Sequence, residues 1–389
     1  MNESETHLGL LPTGFVDLMP VEAEKEVSAI NALMVLFSGY GYNRIKPPLI
    51  EFEDSLLAPG PGAALAPDTF RLMDPASHRM LGVRADITPQ IARIVCSRLP
   101  KDVKPIRLTY ANDVLRARAG QMRTSRQFCQ VGCEIIRDDS VQSYTELCVL
   151  SLLGLNKLGI KDITLDLTLP RSLDVLLERE KNLSAQDKAV LLDALAKRDR
   201  DQIAALDFEE RESVLGLLDH SGNALSALNA LKQMELPEQI SGEITKLAEL
   251  VDEIQKALNA LDITDVNLTV DLFETKGFEY HNEIAFALFA RGMRGELGRG
   301  GRYPVRFGDA VNDDQPEKAI GFTLYMDTIR PAVMLDSHKK ALAVNISAPW
   351  DALEGLRAEG WSIFRYQDEA DIPEVCKFIY TNGQVKERG

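Results

Sequence analysis

Apolar residues at Ala23, Val27, Ile30, Leu33, Met34 and Phe37 recur every three or four positions between Pro20 and the glycines Gly39 and Gly41. With Glu22, Glu24 and Glu26 crowded at the start, this spacing predicts an amphipathic helix with an acidic first turn. The same period at Ile91, Ile94, Val95 and Leu99 predicts a second helix. Thr88 would be its N-cap, with Pro89 just inside, where a missing N–H costs nothing. Residues 69–73 and 79–83 flank Pro75-Ala76-Ser77 and read as a β-hairpin. Strands are expected at 104–110, 126–137 and 162–169, with a helix over 141–158. From 171 to 261 Leu, Ala, Glu, Lys and Gln dominate and the apolar spacing stays at three to four, which predicts a helical block. Strand patterns resume at 266–272 and 284–289. Beyond Arg330-Pro331, a strand at 340–346, a helix at 351–359 and a strand at 361–365 follow. The chain therefore reads as α+β: a sheet core over 1–170 and 262–331, a helical insertion over 171–261, and a small C-terminal α/β domain over 338–389.

The strand Arg126-Gln-Phe-Cys-Gln-Val-Gly-Cys-Glu-Ile-Ile-Arg137 carries the most chemistry. Alternation puts Phe128, Gln130, Gly132, Glu134 and Ile136 on one face and Cys129, Val131, Cys133 and Ile135 on the other, which is plain core. Gln130 and Glu134 are about 13 Å apart at ~3.3 Å per residue, and Gly132 leaves a gap between them. Such a pair suits a small ligand bearing an ammonium or imidazole; a face wetted by solvent would give the same pattern. Asp86 and Thr88 form a second polar cluster that helix capping alone would explain. Arg116, Arg118, Arg123 and Arg126 make a basic patch, either a seat for a carboxylate or phosphate or a solvated loop pairing with surplus acids. The glycines of Gly295-Glu-Leu-Gly-Arg-Gly-Gly-Arg-Tyr303 suggest a phosphate cradle. The segment has neither the Lys-Ser/Thr ending of a P-loop nor a strand-to-helix context, so close backbone approach inside a sheet is the better reading.

Charge narrows the partners. Lys+Arg number 44 against 59 Asp+Glu in 389 residues, a net charge of −15. That balance opposes binding that depends on releasing counterions from nucleic-acid phosphates. Five cysteines with no Cys-x-x-Cys pair and five scattered histidines argue against a disulfide framework or a zinc site. An acidic, polar start and the lack of an apolar run near ~18 residues point to a cytoplasmic protein without a membrane span, and neither a metal nor a cofactor is expected.

Taken in order, these segments resemble the class II aminoacyl-tRNA synthetases, in particular the histidyl-tRNA synthetase core. Pro12-Thr-Gly-Phe-Val-Asp-Leu-Met-Pro20 resembles that family's first motif, and Gly82-Val-Arg-Ala-Asp-Ile-Thr-Pro89 the segment holding the amino group of histidine. Leu115-Arg116 through Glu134 is similar to the second motif and its strand. Lys276-Gly-Phe-Glu-Tyr-His281 and Gly300-Gly-Arg-Tyr303 are similar to the two histidine-specific segments. The resemblance implies an antiparallel synthetase-like sheet flanked by helices. It also implies a histidine pocket made by Asp86, Thr88, Arg116, Gln130, Glu134, Tyr280, His281 and Tyr303. Gln130 and Glu134 would accept from the ligand's nitrogens, Asp86 and Thr88 would hold its ammonium, Arg116 would face the carboxylate side, and His281 and Tyr303 would line the imidazole region. His281 stands where a tyrosine is usual, and a packed core histidine would fit equally well.

The departures lie where ATP is handled. Lys276 replaces an arginine and cannot present a bidentate fork. Arg118 replaces a glutamate, and Asp327-Thr328 replaces a Glu-Arg pair. The tail agrees: residues 338–389 hold seven Lys/Arg and eight Asp/Glu, net 7 − 8 = −1, which gives tRNA no electrostatic hold. Together these imply the non-catalytic paralogues of the family, the regulatory subunits of ATP phosphoribosyltransferase. Such a subunit would form dimers and a hetero-octamer with the short-form catalytic subunit, activate it in the first step of histidine biosynthesis, and convey feedback inhibition by L-histidine. A divergent histidyl-tRNA synthetase is the alternative.

Overall fold

A computed structural model describes residues 9–120, 123–180, 183–274, 281, 283–307, 316–334 and 340–388. Tyr280 and Lys276 lie outside the described residues. Contacts divide the chain into two units, 1–334 and 335–389.

The first unit opens with helix α1 (Pro20–Gly39). Its buried stripe is Ala29, Leu33, Met34 and Phe37, while Val27, expected to be inside, is 53% exposed. Strands β1 (Asn43–Arg44) and β2 (Ile50–Phe52) and helix α2 (Glu53–Leu56) follow. The expected hairpin forms as β3 (Phe70–Met73) and β4 (Met80–Val83). Its turn is held by the Asp74 carboxylate, which accepts from the Ser77 hydroxyl and the backbone N–H of Ala76. Helix α3 (Thr88–Arg98) begins one residue earlier than a Thr88 cap allows. Ile87 is the N-cap and Thr88 the first helical residue; the Asp86 carboxylate accepts the Thr88 N–H at 2.9 Å instead.

Strands β5 (Ile106–Leu115) and β6 (Gln127–Ile136) form a long antiparallel pair, followed by helix α4 (Val141–Lys157) and strand β7 (Ile163–Thr168). Next come α5 (Ser172–Arg179), α6 (Ala185–Lys197), α7 (Arg200–Ala205), α8 (Arg211–Asp219), the short strand β8 (Gly222–Asn223), α9 (Ala224–Leu231) and α10 (Glu238–Ala260). The chain returns through β9 (Val266–Val270), β10 (Ala285–Ala290), β11 (Gly298–Val305), β12 (Glu317–Tyr325) and α11 (Met326–Ile329).

Nine strands make one sheet in the order β1-β5-β6-β12-β11-β10-β7-β9-β8. Pairing is antiparallel except for β1 with β5 and β7 with β9. Helices α1 and α4 pack on it, Phe37 meeting Phe322 edge-on with ring centres 5.6 Å apart. On the other face α3 joins Tyr110, Phe128 and Tyr303 in a second apolar cluster. Both faces of the central strands are thus covered, as their burial pattern records for β6 from Phe128 onward. The glycine-rich segment forms β11: a side chain at Gly298 would strike the Thr323 carbonyl, and one at Gly300 the Gly321 carbonyl and the Phe286 ring.

The second unit contains β13 (Lys340–Asn345), α12 (Trp350–Ala358), β14 (Trp361–Tyr366), β15 (Phe378–Thr381) and β16 (Gln384–Glu387) in a sheet ordered β14-β13-β15-β16. The last two strands were not expected from the sequence. All five cysteines are free thiols.

Candidate ligand-binding cavity

The polar face of β6 is buried. Gln130 is 0% and Glu134 2% exposed, so solvent wetting does not explain their positions. Gly132, between them, does not leave an empty floor. The Tyr110 ring, from the register-paired residue on β5, fills that space, and a Cβ on Gly132 would lie 2.6 Å from the Tyr110 hydroxyl. The room beside Glu134 comes from Gly321, its register partner on β12: a Cβ there would overlap the Glu134 carboxyl at 1.7 Å.

Two tyrosines hold the Glu134 carboxyl. The Tyr303 hydroxyl donates to Oε2 at 3.0 Å and the Tyr110 hydroxyl to Oε1 at 3.3 Å. Tyr110 also lies 2.8 Å from the Thr323 hydroxyl. Burial pushes the carboxyl up to about 8, against the pull of the two tyrosine hydroxyls, with nearby Asp86 adding a smaller upward push. Burial thus favours the protonated form of Glu134, which can give its proton to a basic nitrogen.

Gln130 plays a different part from the one expected. Its side chain runs to the loop before α3, donating through Nε2 to Asp86 Oδ2 at 2.7 Å and accepting the Ile87 N–H at 3.1 Å. It fixes Asp86 and is not among the cavity-lining residues. The same loop is anchored by the buried Arg84, which donates to the carbonyls of Asp113 and Pro47.

Asp86, Thr88, Arg116, Glu134, His281 and Tyr303 line one cavity of about 530 Å³. The structure thus brings together six of the eight sequence candidates, with Gln130 behind Asp86. The Arg116 Nε donates to the Ala85 carbonyl at 3.4 Å. His281 is 5% exposed, and burial first, then the charge of Arg299, depresses its imidazole to about 3. It is a neutral wall residue.

Of the other arginines in the basic patch, Arg118 is exposed. Arg126 lies over the Phe15 and Phe70 rings and donates to the Arg116 carbonyl at 3.0 Å. Arg123 lines the cavity, stacks 3.8 Å over the Tyr325 ring, and pairs with Asp327 at 3.1 Å. An internal carboxylate thus faces this guanidinium. Sequence reasoning did not single out Tyr110, Thr323 or Gly321. The available signal was a glycine opposite a tyrosine on neighbouring strands, which places a ring over the glycine. Among the described residues no group of three or more His, Cys, Asp or Glu stands ready for a metal ion, and no helix is long and apolar enough to cross a membrane.

Known proteins share this fold. The family model for histidyl-tRNA synthetase matches residues 14–329. The chain is similar to the ATP phosphoribosyltransferase regulatory subunit of Rhodospirillum centenum, 39% identical over 386 residues, covering 98% of this chain and 96% of that one. It is also similar to that of Paramagnetospirillum magneticum, 38% identical, covering 96% and 95%. Among solved structures, a regulatory subunit/histidyl-tRNA synthetase from Bacillus halodurans superposes with a TM-score of 0.77 at 21% identity, covering 96% of each chain. A chain of an ATP phosphoribosyl transferase (HisG:HisZ) complex from Thermotoga maritima gives 0.57 at 15% identity, covering 77% of this chain and 97% of that one. These two share the class II synthetase-like fold. By its curated relatives and its family match, the chain belongs to the histidyl-tRNA synthetase-like family and, within it, to the ATP phosphoribosyltransferase regulatory subunits.

Proposed function

We propose that this chain joins a short-form ATP phosphoribosyltransferase catalytic subunit as dimers within a hetero-octamer, activates it in the first step of histidine biosynthesis, and inhibits it when L-histidine fills the cavity. One observation carries the reading: the buried Glu134 carboxyl, held by the Tyr303 hydroxyl, lies in one cavity with Asp86 and Arg116. The imidazole of histidine meets Glu134, its ammonium meets Asp86 and Thr88, and its carboxylate faces Arg116. Tyr303 and His281 complete the imidazole side. Histidine inhibits only by binding one assembly state more tightly than the other, since equal affinity shifts nothing.

No synthetase activity belongs to this reading. The Arg123–Asp327 pair supports it, because an arginine that lines the cavity already faces a carboxylate. The cytoplasm fits a biosynthetic role of this kind. Calorimetric titration of the purified chain with L-histidine tests the pocket, with one site per chain expected and no heat of binding overturning it. Histidine-dependent ATP–pyrophosphate exchange above background would favour the divergent synthetase instead.

A further inference from the structure

The helical insertion touches the sheet where the strand end leads into the cavity wall. Its strand β8 pairs with the last residues of β9, Gly222 opposite Val270 and Asn223 opposite Thr269. The next residue, Asp271, has a side chain only 10% exposed and pairs with Arg198. Arg198 caps α6 in the left-handed conformation, at φ 54° and ψ 35°. Asp271 is also the root of a turn. Its Oδ1 accepts the Phe273 N–H at 3.2 Å, and its N–H donates to the Leu167 carbonyl at 2.9 Å. The Glu274 carbonyl at the end of that turn accepts from the Thr168 hydroxyl at 3.0 Å, and Glu274 lines the cavity.

We propose that the insertion sets the cavity wall through Arg198, a positioning residue whose guanidinium seats Asp271 at the base of the 271–274 turn. A free carboxylate at this buried spot would seek other donors and loosen the turn it caps. By linkage, a ligand that orders the wall also tightens the hold of the insertion, so ligand and insertion are coupled. The binding part of this inference rests on the reading of the cavity as a histidine site; the coupling of Arg198 to the turn does not.

The test uses the full chain and two readouts. In ligand-free protein, Arg198→Ala is expected to speed amide exchange at 271–274 about two- to fivefold, the scale for a half-exposed ion pair, and Arg198→Lys to restore most of the protection. Arg200→Ala breaks a pair inside the insertion, Arg200 to Asp219, and is expected to leave 271–274 unchanged. In titration, the L-histidine Kd should rise for Arg198→Ala by a similar factor. Unchanged exchange at 271–274 in Arg198→Ala overturns the inference, whether or not histidine binds. Faster exchange without any histidine binding by the wild-type chain upholds the latch and overturns the histidine reading alone.

Discussion

The Tyr303 hydroxyl on β11 donates to Glu134 Oε2 on β6 at 3.0 Å, across the intervening strand β12. Gly321 on β12 makes this possible, because any side chain there would occupy the space the carboxyl takes. The ligand chemistry of the cavity turns on this reach between strands that are not hydrogen-bonded to one another.

The first consequence concerns pH. Burial places Glu134 at about 8, and a free imidazole titrates near 6.5. The bound pair shares one proton. Between those values the free partners also carry one proton in total, so histidine affinity should be flat from about pH 6.5 to 8. Below that window a proton must leave on binding, and above it one must be taken up, so affinity falls up to about tenfold per unit on either side. Calorimetry across pH 5.5–9 reads this directly. A profile that keeps rising through pH 9 would contradict it.

Glu134 also bears on stability. A carboxyl raised above its unfolded value stabilises fully below about pH 4.5, and that contribution is lost as pH rises to about 8. Glu134→Gln removes the titration, so the variant should gain on the wild type over this range, by on the order of 4 kcal/mol at pH 9. Denaturant unfolding at pH 4.5 and pH 9 measures the difference, and an equal gap at both pH values would refute it.

Gly321→Ala should separate binding from folding. The clashing atoms belong to the end of the Glu134 side chain, which can swing away, so the structural cost should stay within about 1–3 kcal/mol. Swinging away breaks the Tyr303 and Tyr110 bonds and displaces the group proposed to meet imidazole. Histidine affinity should drop at least about tenfold while the protein stays folded, as circular dichroism and titration would report.

Gln130 was expected to contact the ligand, and its observed bonds to Asp86 and Ile87 predict a different signature. Gln130→Leu should weaken histidine about tenfold by freeing Asp86, at the usual scale of a lost hydrogen bond to a charged group. It should leave imidazole-propionate, which has no amino group, nearly unaffected. Equal loss for both ligands would place Gln130 in direct contact instead.

Much of this was written in short-range pattern. The helices α1, α3 and α4 and the β3–β4 hairpin follow from period and turn chemistry. Thr88 was misplaced as a cap because the helix starts at Thr88 itself, whose N–H goes to the Asp86 carboxylate two residues earlier. Strand β5 runs past the expected end at 110 because Asn112 and Asp113 look like breakers, yet Asn112 pairs in register with Gln130 in a sheet covered on both faces. That Glu134 and Gln130 share one face of β6 was legible from alternation. Which glycine opens the cavity was not, because it depends on register between β6 and β12, which are far apart in sequence.

The most direct measurement is histidine inhibition of ATP phosphoribosyltransferase activity reconstituted from the short catalytic subunit with this chain. The account predicts inhibition with the wild-type chain and its loss with Glu134→Ala, at similar activation in the absence of histidine. Inhibition of equal strength in the two complexes would contradict it.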